Sequence, residues 1–370
     1  MSRYFLFGTL RHEALLTDIV GRAVPCQPAT LEGWHVERAE AGDRPVLIAG
    51  GQSDGILLAP LDAEARARLD WYARASGCLP DAREVEGPDG AVPALIYRAP
   101  NERGSGAAWT LADWVASHGL RTRLAAAEVM RGYGVVPSDE IAARRGVIQA
   151  RAYGVVSSRA YRRPVTIGQT TPASAVEVAE LRYPYEGFHR VEEWVLDHPR
   201  FDGTRSGRIE RAISHVTDAV TVLPYDPVRD RVLVVEQIRI GALAKGDPLP
   251  WMLEPVAGLI DAGETPEAAA LRETAEEAGL AIAPADLQFV GRYYPSPGGL
   301  AQVLHSYVAR VALPDAGGGL HGLDVEGEDI RAHVLSTGDL IAMVESGEAA
   351  NAPLIITALW LALHRDRLCG

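Results

Sequence analysis

Lysine is almost missing from this chain. Of its 36 basic residues only Lys245 is a lysine and the rest are arginines, a bias that reflects genome composition rather than function. Cysteine is nearly as scarce. Cys26, Cys78 and Cys369 have neither metal-ligand spacing nor an obvious pairing, which excludes a disulfide scaffold and fits a reducing cytoplasm. Positive charge is in deficit: the formal net charge of −13 gives no reason to expect a nucleic-acid partner. No apolar run approaches the length of a membrane span. The apolar start, YFLFGTL, is too short for a signal peptide and runs into Arg11. The ten histidines form no HExxH pattern. The expectation is a cytoplasmic protein without membrane or nucleic-acid partners. At 370 residues it is long for one domain and predicts two or more cores.

What is present centres on residues 258–280, GLIDAGETPEAAALRETAEEAGL. Thr265 is a good N-cap, Pro266 suits the first helical position, and Gly279 supplies the left-handed residue that ends a helix. Glu273 and Glu277 are four apart and point off one face, with Glu276 beside them; Arg272 is four from Glu276 and can pair with it. Leu271, Ala275 and Ala278 are left for the buried side. A solvated acidic face is the ordinary reading of such a helix. Three glutamates on one turn nevertheless repel each other unless a cation joins them, and oxygen-only ligands favour Mg²⁺ or Mn²⁺ over zinc.

The spacing resembles the Nudix box, G-x5-E-x7-R-E-U-x-E-E-x-G-U with U apolar. It matches at Gly258, Glu264, Arg272, Glu273, Glu276, Glu277 and Gly279, with Thr274 where an aliphatic residue is usual. LPYDP at 223–227, EQIRIGA at 236–242, EPVAG at 254–258, SPGG at 296–299 and HGLDVEGEDIRAHV at 321–334 narrow the resemblance to the ADP-ribose pyrophosphatase branch. Gln302 departs from it, standing where that branch has a glutamate. The resemblance implies Mg²⁺-dependent hydrolysis of ADP-ribose, with metal held by Glu273, Glu277, the Ala257 carbonyl and Glu328. It implies Glu326 as the base, in an acidic loop at 317–329 whose ordinary reading is a disordered segment. Arg272 and Glu276 join the catalytic set, Glu276 being a further ligand or the base in some relatives. Arg211, Arg239, Gly258, Pro297 and Gly298 are expected at the substrate. Phe188 either stacks on adenine in a partner subunit's site or is an ordinary core residue.

The first hundred residues read as a small α/β unit. FGTLR and LDWYA resemble the gamma-glutamylcyclotransferase-like fold, but Phe7 stands for its usual tyrosine and Ala73 for its catalytic glutamate. The expected proton transfer there has no agent. Val46–Ile48 and Gly55–Leu58 read as paired strands, and the G-x-S-x-G match at 51–55 as a Gly-rich hairpin turn rather than a nucleophile elbow. APNERGSGA at 99–107 reads as a linker, followed by helical patterns from 111 with Trp109, Trp114, Leu120, Leu124 and Met130 at apolar positions.

The expected fold is thus mixed α/β (α+β): a cyclotransferase-like β-barrel/α domain at 1–105, a helical connector at 106–160, and a Nudix α/β/α sandwich at 161–370 preceded by extra antiparallel strands. That order resembles a bacterial fusion type linked to tellurite resistance. The extra strands at 176–214 leave edges that predict a homodimer. Hydrolysis of another nucleotide sugar or dinucleotide, or a non-catalytic nucleotide-sensing module, are the alternatives.

Overall fold

The computed structural model describes residues 3–168, 170–315, 318–323 and 327–368. Contacts divide the chain into two units, Met1–Arg162 and Arg163–Gly370.

In the first unit five strands close on themselves. Pro45–Leu58 pairs with both Arg3–Leu6 and Cys26–Ala39, and Gly90–Arg98 with Leu79–Gly87 completes the ring. Each of the five strands thus has a neighbour on both sides, and the interior of the ring is filled by Phe5, Phe7, Leu31, Leu47, Leu57, Val85 and Ile96. A second core joins Tyr4, Leu6 and Tyr97 to Leu15, Ile19 and Leu69 on the helices Glu13–Val20 and Ala63–Ala75. The segment set apart by sequence as a connector adds Trp114, Ala126 and Met130 to that same core.

Three expectations need correcting here. Residues 46–48 and 55–58 are not two strands but parts of one, Pro45–Leu58. The 51–55 match therefore lies in mid-strand, neither elbow nor turn. The strand bends there because Gly50 and Gly51 take φ of +104° and +73° opposite a bulge at Gly33. The glycine-rich "linker" supplies a further strand, Gly104–Ala108, on the edge of Cys26–Ala39. A side chain at Gly104 would collide with the Glu37 carboxylate, so glycine is what lets this edge approach.

The second unit is built on an eight-stranded mixed sheet whose centre is Ala219–Asp226, parallel to Leu304–Arg310 and antiparallel to Arg231–Ile238. Tyr307 reaches Glu267 on the helix Pro266–Ala278, whereas its neighbour Val308 packs with Leu340, Leu354, Ala358 and Leu361 of the last two helices. Adjacent strand residues face opposite ways, so the helices lie on opposite faces, an α/β/α sandwich. The extra strands Glu177–Glu186, Arg190–Asp197 and Ile209–His215 form their own antiparallel sheet. It is fastened to the sandwich by Leu300–Ala301, which runs parallel to Ser214–His215. Among the described residues no helix is long and apolar enough to cross a membrane.

Candidate active site

The helix Pro266–Ala278 begins and ends where its sequence dictates. The Thr265 hydroxyl accepts from the Ala268 N–H at 3.2 Å, and Gly279 closes the helix at φ 64°. Its buried face is Ala269, Ala270, Thr274, Glu277 and Ala278; Ala275, expected inside, is exposed. Thr274 is tolerated in the core because its hydroxyl donates to the Ala270 carbonyl at 2.6 Å.

Arg272 is the hub of the acidic residues. Its guanidinium donates to Glu264 through Nε and Nη2 (3.0 and 2.9 Å), to Glu273 and Glu276 through Nη1 (2.6 and 3.0 Å), and to the Leu259 carbonyl at 3.0 Å. The bonds to Glu264 raise its own pKa further. For Glu264, burial works against ionisation, but the Arg272 bonds and the Asp261 N–H hold its carboxyl below the usual range.

Two carboxylates behave oppositely. Glu277 is 2% exposed, which the reading of a solvated acidic face excludes. Burial pushes its pKa up to about 8, against a 2.9 Å hydrogen bond from the Ala257 N–H and with the charges of Glu273 and Glu328 adding to the rise. Burial likewise pushes Glu273 up to about 7 despite its bond to Arg272, with Glu276 and Glu328 contributing repulsion. Gly258 makes this crowding possible: a Cβ there would lie 1.8 Å from the carboxyl carbon of Glu273.

Arg239 stands in the field of Glu277 and Glu328. Burial opposes its charge, but Glu254, taking both Nε (2.7 Å) and Nη2, holds the guanidinium above its usual pKa. Glu328 accepts from the Leu323 N–H at 3.2 Å. Ala257, Gly258, Arg272, Glu273, Glu276, Glu277, Glu328 and Arg239 are thus brought together.

Other expected residues lie elsewhere. Phe188 is no core residue: it is 57% exposed at the turn before Arg190–Asp197, its ring 5.2 Å from that of His189. Arg211, also exposed, donates to the Glu210 carbonyl at 2.7 Å on the separate sheet. Pro297 and Gly298 form an exposed turn whose next residue, Gly299, accepts from the Ser214 N–H at 2.8 Å, on the strand that carries Arg211. Gln302 donates to the Thr217 carbonyl at 2.9 Å, a structural bond. Glu326 falls outside the described residues. Glu254 is not among the expected site residues, although a carboxylate closing the strand WMLE is a visible signal in the sequence; it is 4% exposed.

Among the described residues no three acidic, histidine or cysteine side chains form a ready metal cage, and Glu273 and Glu276 each give an oxygen to Arg272. The donor chemistry still fits a hard divalent cation. The donors are all oxygens, and the buried Glu277 and half-buried Glu273 are each crowded by neighbouring carboxylates.

A NUDIX domain model matches residues 215–355, and one for gamma-glutamyl cyclotransferase, AIG2-like, matches residues 4–116. The ADP-ribose pyrophosphatase of Escherichia coli strain K12 is 39% identical over 205 residues, 55% of this chain and 94% of that protein. That of Haemophilus influenzae is 35% identical over 195 residues, covering 52% and 88%. The GDP-mannose pyrophosphatase of Citrobacter koseri is 28% identical over 175 residues, covering 45% and 87%.

Proposed function

The chain belongs to the Nudix hydrolases, with a gamma-glutamyl cyclotransferase-like domain in front, and from that premise we propose that it hydrolyses the pyrophosphate of ADP-ribose to AMP and ribose 5-phosphate with Mg²⁺. The observation that carries the reading is the buried Glu277 brought together with the half-buried Glu273, with Arg239 in the field of Glu277. Bound among Glu273, Glu277, Glu328 and the Ala257 carbonyl, Mg²⁺ or Mn²⁺ would neutralise the pyrophosphate's charge, polarise its oxygens and make a water more acidic.

The chain's own residues then have separate tasks. Gly258 leaves room for Glu273, and Arg272 fixes the orientation of Glu273 and Glu276 while neutralising part of their charge. Arg239 and Arg211 hold phosphate and ribose oxygens, a task suited to the guanidinium fork. Phe188 stacks on the adenine, and the turn at Pro297 and Gly298 lines the substrate. Water attacks one phosphorus, its proton passes to Glu326, and the bond to the bridging oxygen breaks. Phe188, at the turn between the first two extra strands, and Arg211, on the third, serve the site of a second chain in a cytoplasmic homodimer, an arrangement that the edge strand of that sheet favours.

The identity to ADP-ribose pyrophosphatases exceeds that to GDP-mannose pyrophosphatases, which are the second reading. A hydrolysis screen of ADP-ribose, GDP-mannose, NADH and diadenosine polyphosphates with Mg²⁺, with products identified, decides between them. ADP-ribose should give the highest kcat/KM, with AMP released. A higher value for GDP-mannose selects the second reading, and no turnover of any substrate favours a sensing module.

A further inference from the structure

Arg239 is anchored through both its backbone and its side chain. Its N–H donates to the Pro250 carbonyl at 2.8 Å, and its own carbonyl starts the short helix Ile240–Lys245. Its side chain is held by Glu254, whose carboxylate is buried. A buried carboxylate is costly unless both oxygens are satisfied. Oε2 takes Arg239; Oε1 takes the side-chain amide of Asn351, Nδ2 donating at 2.7 Å across 97 residues of sequence.

Asn351 is itself locked. Its Oδ1 accepts from the Leu354 N–H at 3.2 Å, and its carbonyl accepts from Ile355 at 3.1 Å, so it caps the closing helix Ala352–Leu368. The amide's two ends therefore have fixed duties: oxygen to the helix, nitrogen to the carboxylate. A flipped amide would set oxygen against carboxylate and lose both bonds. Among the described residues, protein partners engage only Nε and Nη2 of Arg239, which leaves Nη1 for a ligand.

We propose that Asn351 is a positioning residue for substrate binding: from the cap of the last helix it holds Glu254, which fixes the Arg239 guanidinium at the pyrophosphate. This rests on the reading that Arg239 contacts substrate. The chain of bonds removes freedom from a long side chain before substrate arrives, so less is lost when the complex forms.

Cap and relay can be separated by substitution. Serine caps a helix about as well as asparagine but is too short to reach Glu254; alanine does neither. ADP-ribose binding is measured by calorimetry in EDTA, and KM and kcat with Mg²⁺, for Asn351→Ser, Asn351→Ala, Arg239→Ala and Asn351→Ser/Arg239→Ala. The expected result is that Asn351→Ser keeps its melting temperature yet raises Kd and KM about tenfold, with kcat changed less. Asn351→Ala matches it in binding but melts lower, and in the Arg239→Ala background the serine change adds nothing. Wild-type binding by Asn351→Ser would reduce Asn351 to a cap and overturn the proposal alone, as would an undiminished effect when Arg239 is already gone. If Arg239→Ala binds and turns over like the unaltered chain, the substrate role of Arg239 fails and the relay fails with it. An unaltered chain that neither binds nor hydrolyses ADP-ribose overturns the proposed function as well.

Discussion

Burial that pushes a glutamate's pKa up to about 8, as it does for Glu277, is an unusual thing for a fold to tolerate. For Glu277 the folded-state pKa is raised, so between its ordinary value and about 8 the folded chain binds more protons than the unfolded one. Without metal, stability is therefore lost as pH rises through that window. Glutamine at 277 can still accept from Ala257 but has no proton to lose. In EDTA, the melting temperature of Glu277→Gln should match or fall below the parent near pH 5 and exceed it by pH 8.5. Parallel curves would mean that Glu277 ionises normally. With Mg²⁺ the same variant should lose turnover by orders of magnitude, and the parent's metal affinity should climb between pH 6 and 8.5 as the carboxyls at about 7 and about 8 deprotonate. Gly258→Ala tests the crowding from the other side. The atoms it would strike belong to the flexible end of Glu273, so the fold should survive while that carboxylate is displaced. Turnover about 100-fold lower, with melting within a few degrees of the parent, is the expected outcome. Full activity would show that the position of Glu273 is not critical.

At the scale of elements, the helices after residue 110 carry the sharpest lesson. Their apolar spacing announces helices but not their partner, and the structure buries Trp114, Ala126 and Met130 with Leu15, Ile19 and Leu69. A fragment ending at 105 should thus be unfolded by circular dichroism, and one ending at 162 should melt cooperatively. A cooperative 1–105 fragment would show that the barrel does not need them. The 1–162 fragment should release no 5-oxoproline from gamma-glutamyl dipeptides. Ala73 is buried without a titratable group, and Asp70, one turn earlier, accepts the hydroxyls of both Tyr4 (3.1 Å) and Tyr97. The box helix was legible almost entirely, because cap, proline, charges and terminal glycine are local signals. The burial of Glu277 was not, since periodicity assigns a glutamate to the surface. Nor was the strand Cys26–Ala39, whose mostly exposed and half-buried residues show no clean alternation. The bond from Asn351 to Glu254 spans 97 residues, beyond any pattern of spacing.

For the whole molecule the question is where the substrate pocket is completed. Arg211 sits on, and Phe188 at a turn of, a small sheet with an edge at Glu177–Glu186, tied to the sandwich through the turn at 296–301. If two chains share their sites, mixing inactive Glu277→Gln with inactive Arg211→Ala and allowing exchange should restore activity in the hybrids. The second variant should fold normally, because Arg211 is exposed and its hydrogen bond runs to the carbonyl of the preceding residue. No recovery despite verified exchange would assign both residues to their own chain's site, and a monomer by light scattering would refute the dimer.

The short helix Ile240–Lys245, which starts from the Arg239 carbonyl, ends on the chain's single lysine. An amine-reactive fluorophore has one side chain to find, apart from the α-amino group, and that side chain is six residues from the arginine proposed to meet the pyrophosphate. One labelling step without mutagenesis would turn the helix into an optical reporter of ligand arrival. A change in emission on adding ADP-ribose in EDTA, absent in Arg239→Ala, is the expected signal.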